Sequence, residues 1–213
     1  MMIEHIKPNE IEKRSFEIIT AELCERGIEI PEDKAFLIKR AIHTTADFDY
    51  AETLTFSPDA ITIIASLIRE GAIIVTDTNM GLSGINKTEL AKYGGEVRCF
   101  MADKDVAEEA ASRGVTRATV SMERAAKFDK KVIFAIGNAP TALIELRRMY
   151  DEKLYVPSFV IGVPVGFVNV EAAKDMIMET EIPYIINRGR KGGSNVAAAI
   201  CNAVLYEMRK GNI

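Results

Sequence analysis

Ala72-Ile-Ile-Val-Thr76, running directly into Asp77-Thr-Asn-Met-Gly-Leu-Ser-Gly84, is the stretch that decides the fold. A short run of branched apolar side chains, followed at once by polar residues and glycine, reads as a buried strand that delivers a loop. The same unit recurs downstream at Val97 to Phe100, Val132 to Ile136, Phe159 to Val163 and Tyr184 to Ile186. Segments of helical period separate these runs, among them Asp105 to Arg113, Thr141 to Arg148, Val170 to Thr180 and Asn195 to Arg209. Strand and helix in alternation imply an α/β fold, a mostly parallel sheet with helices on both faces.

Helices precede this array. Pro8 opens a helical pattern through Ile11, Ser15, Ile18, Ile19 and Leu23 that stops at Gly27. Pro31 and Glu32 start a second helix, ending at His43. Thr53 to Phe56 then alternates like a short strand, and Ser57-Pro-Asp59 caps a third helix that ends at Gly71. Nothing in residues 1–213 resembles a repeat, a low-complexity tract or a linker, so one domain is expected.

Composition narrows the function. With 213 residues, 48% of them hydrophobic, the chain can bury a sizeable core. A net charge of -4 argues against nucleic acid or an anionic membrane as partner, since both demand a basic face. Cys24, Cys99 and Cys201 lack zinc-type spacing and read as reduced core residues. Met1-Met-Ile-Glu-His5 has neither the basic start nor the apolar run of a signal peptide. The most apolar stretch, Tyr155 to Val170, is broken by Pro157, Gly162, Pro164 and Gly166, which rules it out as a membrane helix. A soluble cytoplasmic protein is expected.

Ligands of such sheets bind outside the carboxyl ends of the strands. That rule selects Asp77 to Gly84, Met101 to Lys104, Gly137 to Thr141, Gly162 to Phe167 and Asn187 to Ser194. Gly137-Asn-Ala-Pro-Thr141 leads into a helix whose first turn offers N–H groups to a carboxylate or phosphate; an ordinary capped helix start is the plain alternative. Arg188-Gly-Arg-Lys-Gly-Gly-Ser194 gathers three cations among glycines and is the best local candidate for an anionic ligand. The dinucleotide, P-loop and nucleophile-elbow fingerprints are absent, as is any metal-ligand spacing. No cofactor and no bound metal are expected.

One of the two histidines stands apart. His43 lies in Arg40-Ala-Ile-His-Thr-Thr-Ala-Asp-Phe-Asp-Tyr50, where a helical pattern runs into hydroxyls and carboxylates. Thr44, Thr45, Asp47 or Asp49 could hold its ring. It is either a helix C-cap or a proton donor working near neutral pH. An anion-binding pocket with one proton donor suits an isomerase or lyase that needs no cofactor.

Read together, the loops resemble the precorrin-8X methylmutase family of cobalamin biosynthesis. The resemblance rests on Glu12-Lys-Arg-Ser-Phe16, the His43 segment, Phe56-Ser-Pro-Asp59, Asp77-Thr-Asn-Met80, Gly137-Asn-Ala-Pro-Thr-Ala-Leu143, Gly162-Val-Pro-Val-Gly-Phe-Val168 and Arg188-Gly-Arg-Lys-Gly-Gly-Ser194, in family order over almost the whole chain. It implies a Rossmann-like fold, a homodimer, and a 1,5-sigmatropic methyl shift from C-11 to C-12 of a corrin precursor. It also implies that His43 moves a proton, and that Ser15 and Arg117 contact the substrate. Arg188, Arg190, Lys191 and the helix start at Gly137 and Asn138 are plausible anchors for the ring's carboxylates. Arg14, Asp77 and Asn79 complete the expected substrate site. The competing classes are a non-catalytic corrinoid carrier, which would not need His43, and another isomerase or lyase acting on a polyanion.

Overall fold

The computed structural model describes Lys7, Pro8 and residues 10–213. Expectations attached to Met1 to His5 lie outside these residues. The chain begins with α1 (Ile11–Glu25), a 3-10 turn (Glu32–Lys34), α2 (Ala35–Thr45), α3 (Tyr50–Thr53), β1 (Leu54–Phe56) and α4 (Ala60–Arg69). The middle holds β2 (Ile73–Thr76), α5 (Asn79–Gly84), α6 (Lys87–Ala91), β3 (Glu96–Arg98), α7 (Lys104–Arg113) and α8 (Arg117–Ala125). It closes with β4 (Val132–Ile136), α9 (Pro140–Asp151), β5 (Phe159–Gly162), α10 (Val170–Met178), β6 (Tyr184–Asn187) and α11 (Ser194–Lys210).

The strands form one mixed sheet in the order β1-β6-β5-β4-β2-β3, parallel except for the antiparallel edge pair β1 and β6. All residues of β2, β4 and β5 are buried, because alternate side chains face opposite layers and both layers are apolar. Ile74, Ile133, Ala135, Phe159 and Ile161 pack with α1, α2, α4 and α11. Val75, Val132, Phe134, Ile136 and Val160 pack with α8, α9 and α10 on the other face. The α/β fold with helices on both faces is therefore the observed one.

Local differences have local causes. Pro8 sits in a turn and α1 begins at Ile11, while Pro31 leads into the 3-10 turn before α2. Asp59 occupies the N-cap position of α4 but makes no side-chain cap bond; the Ser57 hydroxyl instead accepts the Tyr184 N–H at 2.9 Å. α8 has no counterpart in the sequence reading. Its buried face mixes Ala118, Val120, Ser121, Met122 and Ala125, too small and polar to mark an apolar stripe. Cys24 is exposed and Cys99 half-buried, so only Cys201 is the core thiol expected of all three.

From β2 the chain moves outward to β3, whereas from β4 it moves the other way through β5 to β6. The direction changes between the carboxyl ends of β2 and β4, which is where such sheets open a crevice.

Candidate active site

Asp77 follows β2 at this switch point and is 1% exposed. Its carboxylate accepts the N–H groups of Gly137, Asn138 and Ala139 at 2.9, 2.8 and 2.5 Å. The loop leading into α9, where a ligand's carboxylate was expected, is thus occupied by the protein's own, on the three N–H groups just before the helix. Asp77 is a structural tie between β2 and β4, in place of the substrate contact expected from the loop. Burial pushes its carboxyl up from the usual range, against the three N–H bonds. Gly137 must be glycine here, since a Cβ would lie 2.5 Å from Ser194 Cα. The Ser194 hydroxyl accepts from Thr78 at 2.7 Å, so α11 starts directly over the same point. Asn79 and Asn138, beside this junction, are exposed.

His43 lies in the last turn of α2, which closes at Ala46 in a left-handed conformation. Its side chain is exposed, and its ring stacks on Phe16 of α1, with centroids 5.4 Å apart and planes inclined by 25°. None of the four expected orienting residues does that work. Thr44 and Thr45 donate back to the carbonyls of Arg40 and Ala41 at 2.9 and 2.8 Å, as helical hydroxyls commonly do. Asp47 and Asp49 bind Lys191 at 2.6 and 2.5 Å. Arg40 also meets Phe16: its guanidinium lies 4.8 Å from the Phe16 centroid and pairs with both Glu12 carboxylate oxygens at 2.9 and 3.1 Å. That pairing holds the Glu12 carboxyl below its ordinary range. A groove of about 1310 Å3 runs past Glu12, Phe16, Arg40 and Tyr206, and His43 is not among its walls.

The cationic loop after β6 is more committed than its sequence suggests. Arg190 pairs with Glu171 at 2.8 Å and lies over the Phe167 ring, and Lys191 holds Asp47 and Asp49. Burial pushes Asp47 upward, but its bonds to Lys191 and to the Asp49 N–H outweigh this and lower it. Lys191 therefore clips the loop after His43 to the loop after β6. Arg188 is exposed and, among the described residues, has no ion-pair partner. At the other side, Arg117 opens α8, exposed, with one contact to the Met101 carbonyl at 3.4 Å. Thr116 meets Thr141 at 3.2 Å, which sets the starts of α8 and α9 side by side. Ser15 donates to Ile11 O at 3.0 Å, and Arg14 lies 3.7 Å from Glu17, both on α1 beside Phe16.

The family model for precorrin-8X methylmutase matches residues 10–207. The chain belongs to that family. It is 44% identical over 209 residues to a protein of Salmonella typhimurium (strain LT2) named cobalt-precorrin-8 methylmutase, covering 96% of this chain and 97% of that one. A Priestia megaterium protein of the same name is 43% identical over 199 residues, covering 93% and 88%. The precorrin-8X methylmutase of Pseudomonas aeruginosa is 36% identical over 209 residues, covering 97% and 99%. Among solved structures, the precorrin-8X methylmutase of Thermus thermophilus superposes with a TM-score of 0.84 at 32% identity, covering 96% of this chain and all of that one. A methylmutase is an isomerase that transfers a methyl group within one molecule, here in cobalamin biosynthesis.

Three side chains of this candidate site were given no role by the sequence alone. Phe16 and Arg40 stood inside recognised segments, but only the packing of α1 on α2 brings Phe16 to both His43 and Arg40. Lys174 was legible in principle: it shares a helical stripe with Val170, Ala173 and Ile177, all buried, and is itself 0% exposed. A lysine on an apolar stripe signals a buried amine with a specific partner. Among the described residues no helix is long and apolar enough to cross a membrane.

Proposed function

We propose that this chain moves the C-11 methyl group of precorrin-8, or of its cobalt form, to C-12, with His43 as proton donor and acceptor. The relatives named above for the cobalt substrate are 43% and 44% identical against 36% for the other, which favours the cobalt form. One observation carries the reading of the site. An exposed imidazole is stacked flat on Phe16, next to a loop that Lys191 clips to a cationic, glycine-rich turn at the strand ends.

The bond from the methyl carbon to C-11 breaks as the bond to C-12 forms, so no group enters or leaves. Protonating a ring nitrogen makes the conjugated system electron-poor and eases the migration, and the same proton returns to His43 in the product. Holding the broad ring in one orientation supplies the remaining advantage. In this reading Arg188, Asn138 and Arg117 meet peripheral carboxylates; Ser15, Arg14 and Asn79 line the approach. Arg190 and Lys191 contribute by exchanging their present carboxylate partners for those of the substrate. The protein works as a cytoplasmic homodimer.

A time course of the absorption spectrum after mixing the protein with precorrin-8 or its cobalt form tests this, with His43→Ala run alongside. The expected result is conversion by the wild type and binding without conversion by the variant. If the wild type binds the pigment without spectral progress, the protein is a carrier; if His43→Ala converts it, the proton moves elsewhere.

A further inference from the structure

Four successive carbonyls of the cationic loop are turned toward the protein. The Arg188 carbonyl accepts from Asn187 Nδ2 at 3.2 Å, and the Gly189 carbonyl from Lys174 Nζ at 2.6 Å. The Arg190 carbonyl accepts from the Gly166 N–H at 3.1 Å, and the Lys191 carbonyl from both Lys174 Nζ and Asn187 Nδ2 at 3.0 Å each. In a trans peptide the C=O of one residue and the N–H of the next point opposite ways. Taking the four carbonyls inward therefore sends the N–H groups of Gly189, Arg190, Lys191 and Gly192 outward. None of the four donates to another group among the described residues. Successive outward N–H groups form a concave anion site, and Gly189, at φ +71°, supplies the left-handed turn such a site uses.

We propose that Lys174 is a positioning residue of the substrate site, which turns this loop so that its N–H groups, together with Arg188, take one carboxylate of the corrin substrate. Lys174 is wholly buried and has no carboxylate at ion-pair distance among the described residues; its ammonium donates to the loop carbonyls instead. Burial pushes its ammonium down to about 8, opposed by the Glu171 and Asp175 carboxylates of its own helix. It is thus charged at neutral pH, as a donor to two carbonyls should be. A buried cation maintained for packing alone would be costly, because an apolar side chain fits an apolar stripe better. This inference rests on the methylmutase reading and names a contact within it.

The test uses the full chain and two probes, cobyrinate and its fully methyl-esterified form, which keeps the ring but loses the carboxylates. Lys174→Met, similar in length and uncharged, is compared with wild type for Kd of each probe and for KM and kcat. The expected result is a Kd for cobyrinate and a KM raised about tenfold, the worth of one charge-assisted contact. The ester's Kd and kcat should stay within about twofold. Equal cobyrinate affinity in wild type and variant overturns the proposal, and so does an equal loss for acid and ester, which marks a merely structural role. Should Lys174→Met not fold, Gly189→Ala replaces it: an added Cβ meets nothing within 4 Å, yet the positive φ strains the turn. The same acid-selective weakening is expected of it, and its absence overturns the proposal. A wild type that neither binds nor converts the pigment overturns the methylmutase reading itself.

Discussion

Asp77→Asn changes one atom at the junction on which the site is built. The carboxylate receives Gly137 N–H on one oxygen and Asn138 and Ala139 N–H on the other. An asparagine amide has a single acceptor oxygen. Placed to serve Asn138 and Ala139, it turns its NH2 toward the Gly137 N–H, so a buried donor faces a donor. Bonds to an ionised acceptor contribute about 1.5–3 kcal/mol each and neutral ones about 1 kcal/mol, so the two retained bonds lose about 1 kcal/mol apiece. The stranded Gly137 N–H costs about 1–3 kcal/mol more. Against this, the variant no longer buries a charge, and burial already pushes the Asp77 carboxyl up, so part of the loss is returned. The net expectation is a destabilisation of about 2–3 kcal/mol. At about 2–4 °C per kcal/mol for a chain of this size, the melting temperature should fall by roughly 5–10 °C. Thermal unfolding followed by circular dichroism at neutral pH measures it, with Asp77→Ala, which has no acceptor, expected to fall further. An Asp77→Asn melting temperature within about 1 °C of wild type would refute the reasoning, because the tie would then carry no net energy.

Two further outcomes follow from the same geometry. Gly137→Ala should destabilise by more than about 2 kcal/mol and lower the soluble yield, since its Cβ meets the Ser194 backbone at 2.5–2.6 Å and neither β4 nor α11 can retreat without breaking its packing; calorimetry checks this. The Glu12–Arg40 pair gives an acid-side pH dependence. Because the folded Glu12 carboxyl lies below its ordinary 4.5, the pair's contribution is complete above that pH and is lost as pH falls through the folded value. Glu12 is largely open to water, so the effect is on the order of 1 kcal/mol. Glu12→Gln should lose that share of the wild type's pH dependence in urea unfolding below about pH 4.5, and equal slopes for the two proteins would count against the pairing.

The alternation of branched apolar runs with helical segments determined the α/β class, because period is a local property that packing between layers does not alter. β4, α9 and α10 fall almost where the pattern of residues put them. The loops at the strand ends and the family resemblance were equally present in the residue order. What only tertiary structure decided is which polar groups remain open. Asp77 and the start of α9 are 60 or more positions apart, yet they satisfy one another. Lys191 looked free for a substrate and is held by Asp47 and Asp49, more than 140 positions earlier. Hydrogen bonds and ion pairs saturate: a carboxylate that meets an N–H or an ammonium across the fold is withdrawn from a ligand, and its chain neighbours carry no record of that. His43 likewise depends on Phe16, which the packing of α1 against α2 brings to its ring. Element type was written locally in this chain; the polarity left at the strand ends was set by long-range pairing.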